Sequence, residues 1–143
     1  HDIDERKLKE ADLRAKRAGV KFKRLEGENL QKYCRSFDCI IVDVPCSGSG
    51  AWRRNPQQKW RITPKSLNEI LTRQTIILDE AKNLIKKNGY IFYITCSLLK
   101  IENEEVIHKF LMENKHFRLF NKKNVTIDNC GDGFFCAVLQ KKN

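Results

Sequence analysis

The sequence predicts an α/β layered fold built on a mainly parallel sheet, and three features carry that expectation. Residues 37–44 form an apolar, β-branched run of the kind found in strands covered on both faces. Residues 90–95 repeat the pattern. Between them Leu67, Ile70, Leu71, Gln74, Leu78, Ala81 and Ile85 trace one face of a long helix. Helices alternating with apolar strands mark this class. A crossover through such a helix sets its two strands near each other and parallel.

The other elements follow in order. A helix begins almost at once, with Asp4 as N-cap, Leu8, Ala11, Ala15 and Ala18 as its apolar stripe, and Gly19 as its stop. Residues 20–25 alternate enough for a short strand. After the first buried strand, a loop rich in Gly, Ser, Arg and Pro runs from Pro45 to about Thr63. Thr63 followed by Pro64 starts the long helix, because Pro at the first helical position lacks an N–H that would be unpaired anyway. Asn88-Gly89 ends it. A further helix is expected over 102–113, with Val106, Ile107, Phe110 and Leu111 facing inward, then a short strand over 117–120. A Gly131-Asp132-Gly133 turn precedes a last strand over 134–139, which Phe134 and Phe135 anchor.

Composition narrows the functional classes. The 143 residues suit one ordinary domain, and 41% hydrophobic with 32% charged residues is globular rather than disordered. No apolar stretch approaches membrane-spanning length. A formal charge of +10, from 28 Lys and Arg against 18 Asp and Glu, favours a polyanionic partner such as RNA or DNA. The six cysteines include no CxxC pair and make no secreted disulfide framework, so reduced thiols in a cytoplasmic compartment are expected. Cys39 and Cys136 lie inside apolar runs and read as small buried hydrophobes. Scattered cysteines and histidines make no metal site.

Ligands of parallel α/β sheets bind beyond the carboxyl ends of the strands. Asp43, Cys46 and Cys96 all fall at such ends, in Asp43-Val44-Pro45-Cys46-Ser47-Gly48-Ser49-Gly50 and Thr95-Cys96-Ser97. Two thiols and a carboxylate around one pocket suit covalent chemistry on an electron-poor ring. Cytosine is such a ring. Sulfur attack at C6 makes C5 nucleophilic toward a sulfonium methyl group; the C5 proton must then leave and the sulfur be expelled. A carboxyl group near N3 offsets charge on the ring, the place for Asp43. Arg53, Arg54, Lys59 and Arg61 give the following loop a basic character suited to phosphate. Trp52 and Trp60 are expected to pack in the core or loop.

The two cysteine motifs resemble those of the NOL1/NOP2/Sun (Fmu, RsmB-like) family of RNA cytosine-5 methyltransferases. Arg53-Arg54-Asn55-Pro56 with Lys59-Trp60-Arg61 is similar to the bacterial branch, and Glu102-Asn103-Glu104 and Gly131-Asp132-Gly133-Phe134-Phe135 also fit. The resemblance implies a Rossmann-like class I S-adenosylmethionine-dependent methyltransferase fold, with a mainly parallel sheet and an antiparallel C-terminal strand. Residues 1–143 would be an N-terminally truncated catalytic domain, with the glycine-rich donor loop and first strand ahead of His1, and donor binding by this chain alone is expected to be poor. The resemblance implies methyl transfer from S-adenosylmethionine to C5 of cytosine in RNA, ribosomal RNA first, through a covalent Cys–C6 adduct. By position Cys96 is the nucleophile, Cys46 the cysteine of product release and Asp43 the acid at the ring. Asp2 would hold the donor's ribose, and Glu28 stands where the family has Asp near the adenine; Asp43 also falls among the donor contacts. Arg53, Arg54 and Lys59 would meet RNA. Three rivals remain: a transfer RNA enzyme, a DNA cytosine-5 methyltransferase in which Cys46 attacks, and a non-catalytic RNA-binding ribosome-assembly factor.

Overall fold

The computed structural model describes residues 1–21, 23–25, 27–127 and 131–143, with the Glu28 side chain also left out. It divides into two compact units, His1–Cys34 and Arg35–Asn143.

The first unit holds helix α1, Glu5–Arg17, and a 3-10 segment, Gly27–Tyr33. Asp4 caps α1 as its composition predicts, accepting from the Arg6 N–H, and Gly19 turns the chain out at φ +65°. That value favours glycine because it has no Cβ to meet the following carbonyl. The strand expected over 20–25 is absent from the described residues there. Alternation alone makes no strand without a ladder partner, and Phe22 lies outside the described residues.

The second unit carries a four-stranded sheet in the order β1-β2-β4-β3: β1 is Phe37–Asp43, β2 Ile85–Thr95, β3 Phe117–Val125 and β4 Phe134–Lys141. β1 and β2 are parallel, with Asp43 opposite Ile94. β4 joins β2 antiparallel, as expected of the last strand, and β3 extends the antiparallel part by one more strand. Among the described residues three α-helices accompany the sheet: α2, Gln57–Arg61; α3, Pro64–Leu84; and α4, Glu104–Glu113. Thr63 and Ser66 cap α3 reciprocally, each side chain bonding the other's backbone N–H. α3 stops at Leu84, earlier than Asn88-Gly89 suggests, and Ile85 already pairs with Phe37. The next pair is Cys39 with Tyr90, so β2 bulges where Asn88 takes φ +60°.

The core joins Leu78 and Ala81 of α3, Val106, Ile107 and Phe110 of α4, and one sheet face bearing Val42, Ile91, Tyr93, Phe135, Ala137 and Leu139. The other face is more open than the apolar runs predict. Ile41 is 67% exposed and Cys39 is exposed, while Cys136 is half-buried, which corrects the reading of both cysteines as buried. Strand residues alternate between faces, and only one side chain set of β1 meets the core. Phe135 anchors β4 as expected, whereas Phe134 is exposed.

Candidate functional site

The two cysteine loops meet at the carboxyl ends of β1 and β2. Val44 N–H still bonds to the Ile94 carbonyl at 3.2 Å, so both strands release their chains at one level of the sheet. The consequence is direct: Cys46 Sγ and Cys96 Sγ stand 3.3 Å apart, each half-buried. Asp43, the last residue of β1, is exposed.

Glycine makes the approach of the loops possible. Gly50, in the 3-10 turn Ser49–Ala51, donates to the Cys96 carbonyl at 2.9 Å, and its own carbonyl accepts from Gly133 N–H at 2.9 Å. A Cβ on Gly50 would collide with backbone oxygens of both Gly133 and Cys96. The Gly131-Asp132-Gly133 turn is therefore part of the site wall, a role the sequence reading did not assign it.

One shared proton explains the electrostatics of the sulfur pair. Cys46 is the more deeply buried sulfur, and its thiol is pushed up by the hydrogen bond to Cys96 and then by burial. Cys96 is lowered to about 7, chiefly because its thiolate accepts that bond; its own backbone N–H helps, while burial and the charges of Asp43 and Glu102 oppose. These opposite shifts favour the proton on Cys46 and the negative charge on Cys96 as the pair ionises. A thiolate near neutral pH is the reactive form of cysteine.

Beneath the sulfurs lies a buried polar layer. The Glu102 carboxylate is fully buried and takes hydrogen bonds from Ser47 N–H at 2.7 Å, Ser47 Oγ at 2.5 Å, Ser97 Oγ at 2.5 Å and Gln74 Nε2 at 3.3 Å. Asn103 spans Thr95 Oγ1, from which it accepts at 2.7 Å, and the Ser97 carbonyl, to which it donates at 2.8 Å. Sequence reasoning missed these residues as site components. A signal existed: Gln74 stands in an otherwise apolar helical stripe, and it is fully buried.

The basic loop divides. Arg53 and Arg54 both reach Asp132, Arg53 at 3.7 Å. Lys59 lies over the Trp60 ring at 5.8 Å, and Trp60 is 83% exposed, against the expectation that it packs inside. Trp52 does pack, donating from Nε1 to the Ser47 carbonyl at 3.2 Å. α2 is one short turn with no buried residue, so nothing in it could receive the Trp60 ring.

Asp2 belongs to the first unit, where its Oδ1 accepts from Asp4 N–H at 2.8 Å. It lines an open cleft of about 780 Å³ with His1, Leu8, Leu25 and Tyr33. The backbone of Glu28 falls in the Gly27–Tyr33 segment; its side chain lies outside the described residues.

Comparison with known proteins agrees with this architecture. The family model for 16S rRNA methyltransferase RsmB/F matches residues 1–140. Ribosomal RNA small subunit methyltransferase B of Serratia proteamaculans is 34% identical over 152 aligned positions, covering 98% of this chain and 35% of the relative. The chain thus spans about a third of that relative's length. Among solved structures, the protein designated PH0851 superimposes with a TM-score of 0.83 at 28% identity, over 98% of this chain and 36% of its own. A methyltransferase homologue from Pyrococcus horikoshii shares the fold, with a TM-score of 0.73 at 24% identity over 98% of this chain and 52% of its own. The chain belongs to the RsmB/F family of 16S rRNA methyltransferases.

Proposed function

We propose that this chain carries the reacting groups of an enzyme that methylates C5 of cytosine in ribosomal RNA, with S-adenosylmethionine as donor. The observation that carries the reading is the sulfur pair: two thiols 3.3 Å apart, one of them lowered toward neutrality, at the carboxyl edge of the parallel strands. The net charge of +10 and the exposed Lys59–Trp60 pair suit an RNA partner, since a cation and an open ring offer phosphate and base contacts together. Arg53 and Arg54 would join them by exchanging Asp132 for phosphate.

The residues present fit the nucleoside part of the donor. Asp2 offers a carboxylate for vicinal hydroxyls, and Leu8, Leu25 and Tyr33 line the same cleft with apolar and aromatic surface for a base. When bound, S-adenosylmethionine supplies an electrophilic methyl group to C5.

The chain's own groups do the rest. Cys96 thiolate adds to C6 and forms the C–S bond, moving ring electrons toward C5 and N3. Asp43 contacts N3, where a proton passed through its carboxyl group offsets that charge. Once the Cys96 sulfur is bonded to carbon it no longer bears the charge that keeps the proton on Cys46. The hydrogen bond to Cys96 and its charge, which raise Cys46, are then removed, and Cys46 can release its proton to solvent and act as the base that removes the C5 hydrogen. Loss of that hydrogen returns the electron pair to the C5–C6 bond and expels Cys96 as thiolate, while N3 gives its proton back through Asp43.

RNA containing 5-fluorocytosine tests the reaction. Fluorine at C5 cannot leave as a cation, so the step after methyl transfer is blocked. A protein carrying this chain at its relatives' full length should form a donor-dependent adduct with that RNA that survives denaturation. Methylation without any such adduct would contradict covalent catalysis.

The pH dependence has a definite sign. Because the Cys96 thiol is lowered, its thiolate fraction rises through about pH 7 and is nearly complete a unit above. Iodoacetamide labelling of Cys96, read by peptide mass spectrometry, should follow that curve and level off. In Cys46→Ala the hydrogen-bond donor is gone, while burial and the charges of Asp43 and Glu102 still act, so the midpoint should rise to the ordinary thiol value of about 8.5 or above it. An unmoved midpoint would show that the pair does not share the proton.

A further inference from the structure

We propose that Glu102 is the positioning residue of the sulfur pair, a buried carboxylate that ties the two cysteine loops together and sets the approach of Cys46 to Cys96. This rests on the reading of the pair as the reacting centre.

The geometry is specific. Glu102 grips the residue that follows each cysteine: Ser47, through both N–H and Oγ, and Ser97, through Oγ. The two serine hydroxyls also lie 3.3 Å apart, so both loops close on the same carboxylate. Gln74 extends the grip to the other side of Cys46, donating to Glu102 at 3.3 Å and to the Pro45 carbonyl at 2.9 Å. Glu102 itself is held by backbone: its N–H bonds to the Leu99 carbonyl at 3.0 Å, and its carbonyl takes the Tyr93 hydroxyl at 2.6 Å. A carboxylate is acceptor-only, and four donors converge on it. Charge-assisted bonds of this kind are about twice as strong as neutral ones, which suits a group that must hold two loops against their own freedom. An apolar residue in its place would leave Ser47 N–H and two hydroxyls buried without this partner.

An alternative role, plain charge, has the opposite consequence. The charge of Glu102 raises the Cys96 thiol, but it is the smallest of the causes acting there, and the Cys46 bond is the largest. If Glu102 only contributed charge, neutralising it would lower the Cys96 midpoint. If it positions the sulfurs, loosening the pair outweighs that and the midpoint rises.

The test uses Glu102→Gln, which keeps the volume, and Ser97→Ala, which removes one of the donors to the carboxylate, together with that hydroxyl's contacts to Ser47 and Ser49, and keeps the carboxylate. Diamide supplies the first readout. Its azo bond takes up the two thiol hydrogens as the Cys46–Cys96 disulfide forms, a bond that needs the sulfurs at about 2.05 Å. Thermal melting confirms that each variant is folded. Wild type should cross-link fastest. Glu102→Gln should be slower by about tenfold and Ser97→Ala by a smaller factor, as lost preorganisation lowers effective concentration. The Cys96 alkylation midpoint should rise in Glu102→Gln, and methyl transfer should lose kcat rather than raise KM. Unchanged cross-linking in both folded variants, or a lowered midpoint in Glu102→Gln, overturns the positioning role. Slowed cross-linking in a protein whose wild type transfers no methyl group would keep the positioning role and sink the catalytic reading instead. If Glu102→Gln does not fold, Ser97→Ala alone decides.

Discussion

Cys96→Ala should abolish methyl transfer, by about four orders of magnitude or more, as removal of a covalent nucleophile does. Cys46→Ala should behave differently. Its Cys96 still reaches C6, because Cys96 is held by its own loop, by Gly50 N–H and by Ser97's bond to Glu102. What it loses is the thiol 3.3 Å away that the proposed mechanism uses to take the C5 proton. Addition should proceed and release stall, so a protein–RNA adduct should build up on ordinary cytosine RNA and survive denaturing electrophoresis. The double variant Cys46→Ala/Cys96→Ala should form none. The DNA-type rival reverses this assignment, with Cys46 indispensable for attack. The opposite shifts of the two thiols, Cys96 lowered and Cys46 raised, with their mutual hydrogen bond the first cause in each, favour Cys96 as the attacking group.

Gly50→Ala should damage both stability and chemistry. The added Cβ meets two carbonyl oxygens, of Gly133 and of Cys96, and neither is the far end of a flexible side chain. The loops must separate, at a cost of about 1–3 kcal/mol for overpacking. The urea midpoint should fall with an unchanged m-value. Separation also weakens the bond from Gly50 N–H to the Cys96 carbonyl and the one from Gly133 N–H to Gly50, so methyl transfer should drop by more than the unfolded fraction accounts for. Gly19→Ala is the control. Nothing lies within 4 Å of its added Cβ, and the strain comes only from φ +65°. Its cost should be about 1–2 kcal/mol, with the sulfur pair untouched.

The meeting of the two cysteines was legible in the sequence because each follows a strand, and a parallel crossover brings strand ends together. Thr63-Pro64 announced α3 through local chemistry alone, and Asp4 and Gly19 bounded α1 in the same way. Other features had no local signature. β3 runs on through Asn121 to Val125, a polar stretch that is a strand only because β4 pairs with it. The openness of Cys39 and Ile41 follows from which face meets the helices, and an apolar run does not encode that. Arg53 and Arg54 read as unengaged cations until Asp132, far along the chain, is folded against them.

Glu102 is the clearest case. Beside Asn103 and Glu104 it reads as the acidic start of a helix, favoured there by the helix dipole. Its partners Ser47, Gln74 and Ser97 lie 55, 28 and 5 residues away. Only tertiary structure gathers them, and a buried carboxylate is tolerable only because they are gathered. Gln74 amid Leu71 and Leu78 was the visible trace of that layer, since a polar residue on a core-facing stripe needs a buried partner.

The central claim is that sulfur 96 makes the bond to the base, and the most direct test is to locate that bond. The denaturation-resistant adduct of the Cys46→Ala protein would be digested with protease and nuclease and the modified peptide sequenced by mass spectrometry. The nucleotide should be found on Cys96. In wild type trapped on 5-fluorocytosine RNA it should be found on the same residue. A nucleotide on Cys46 of the trapped wild type, with none on Cys96, would contradict the account.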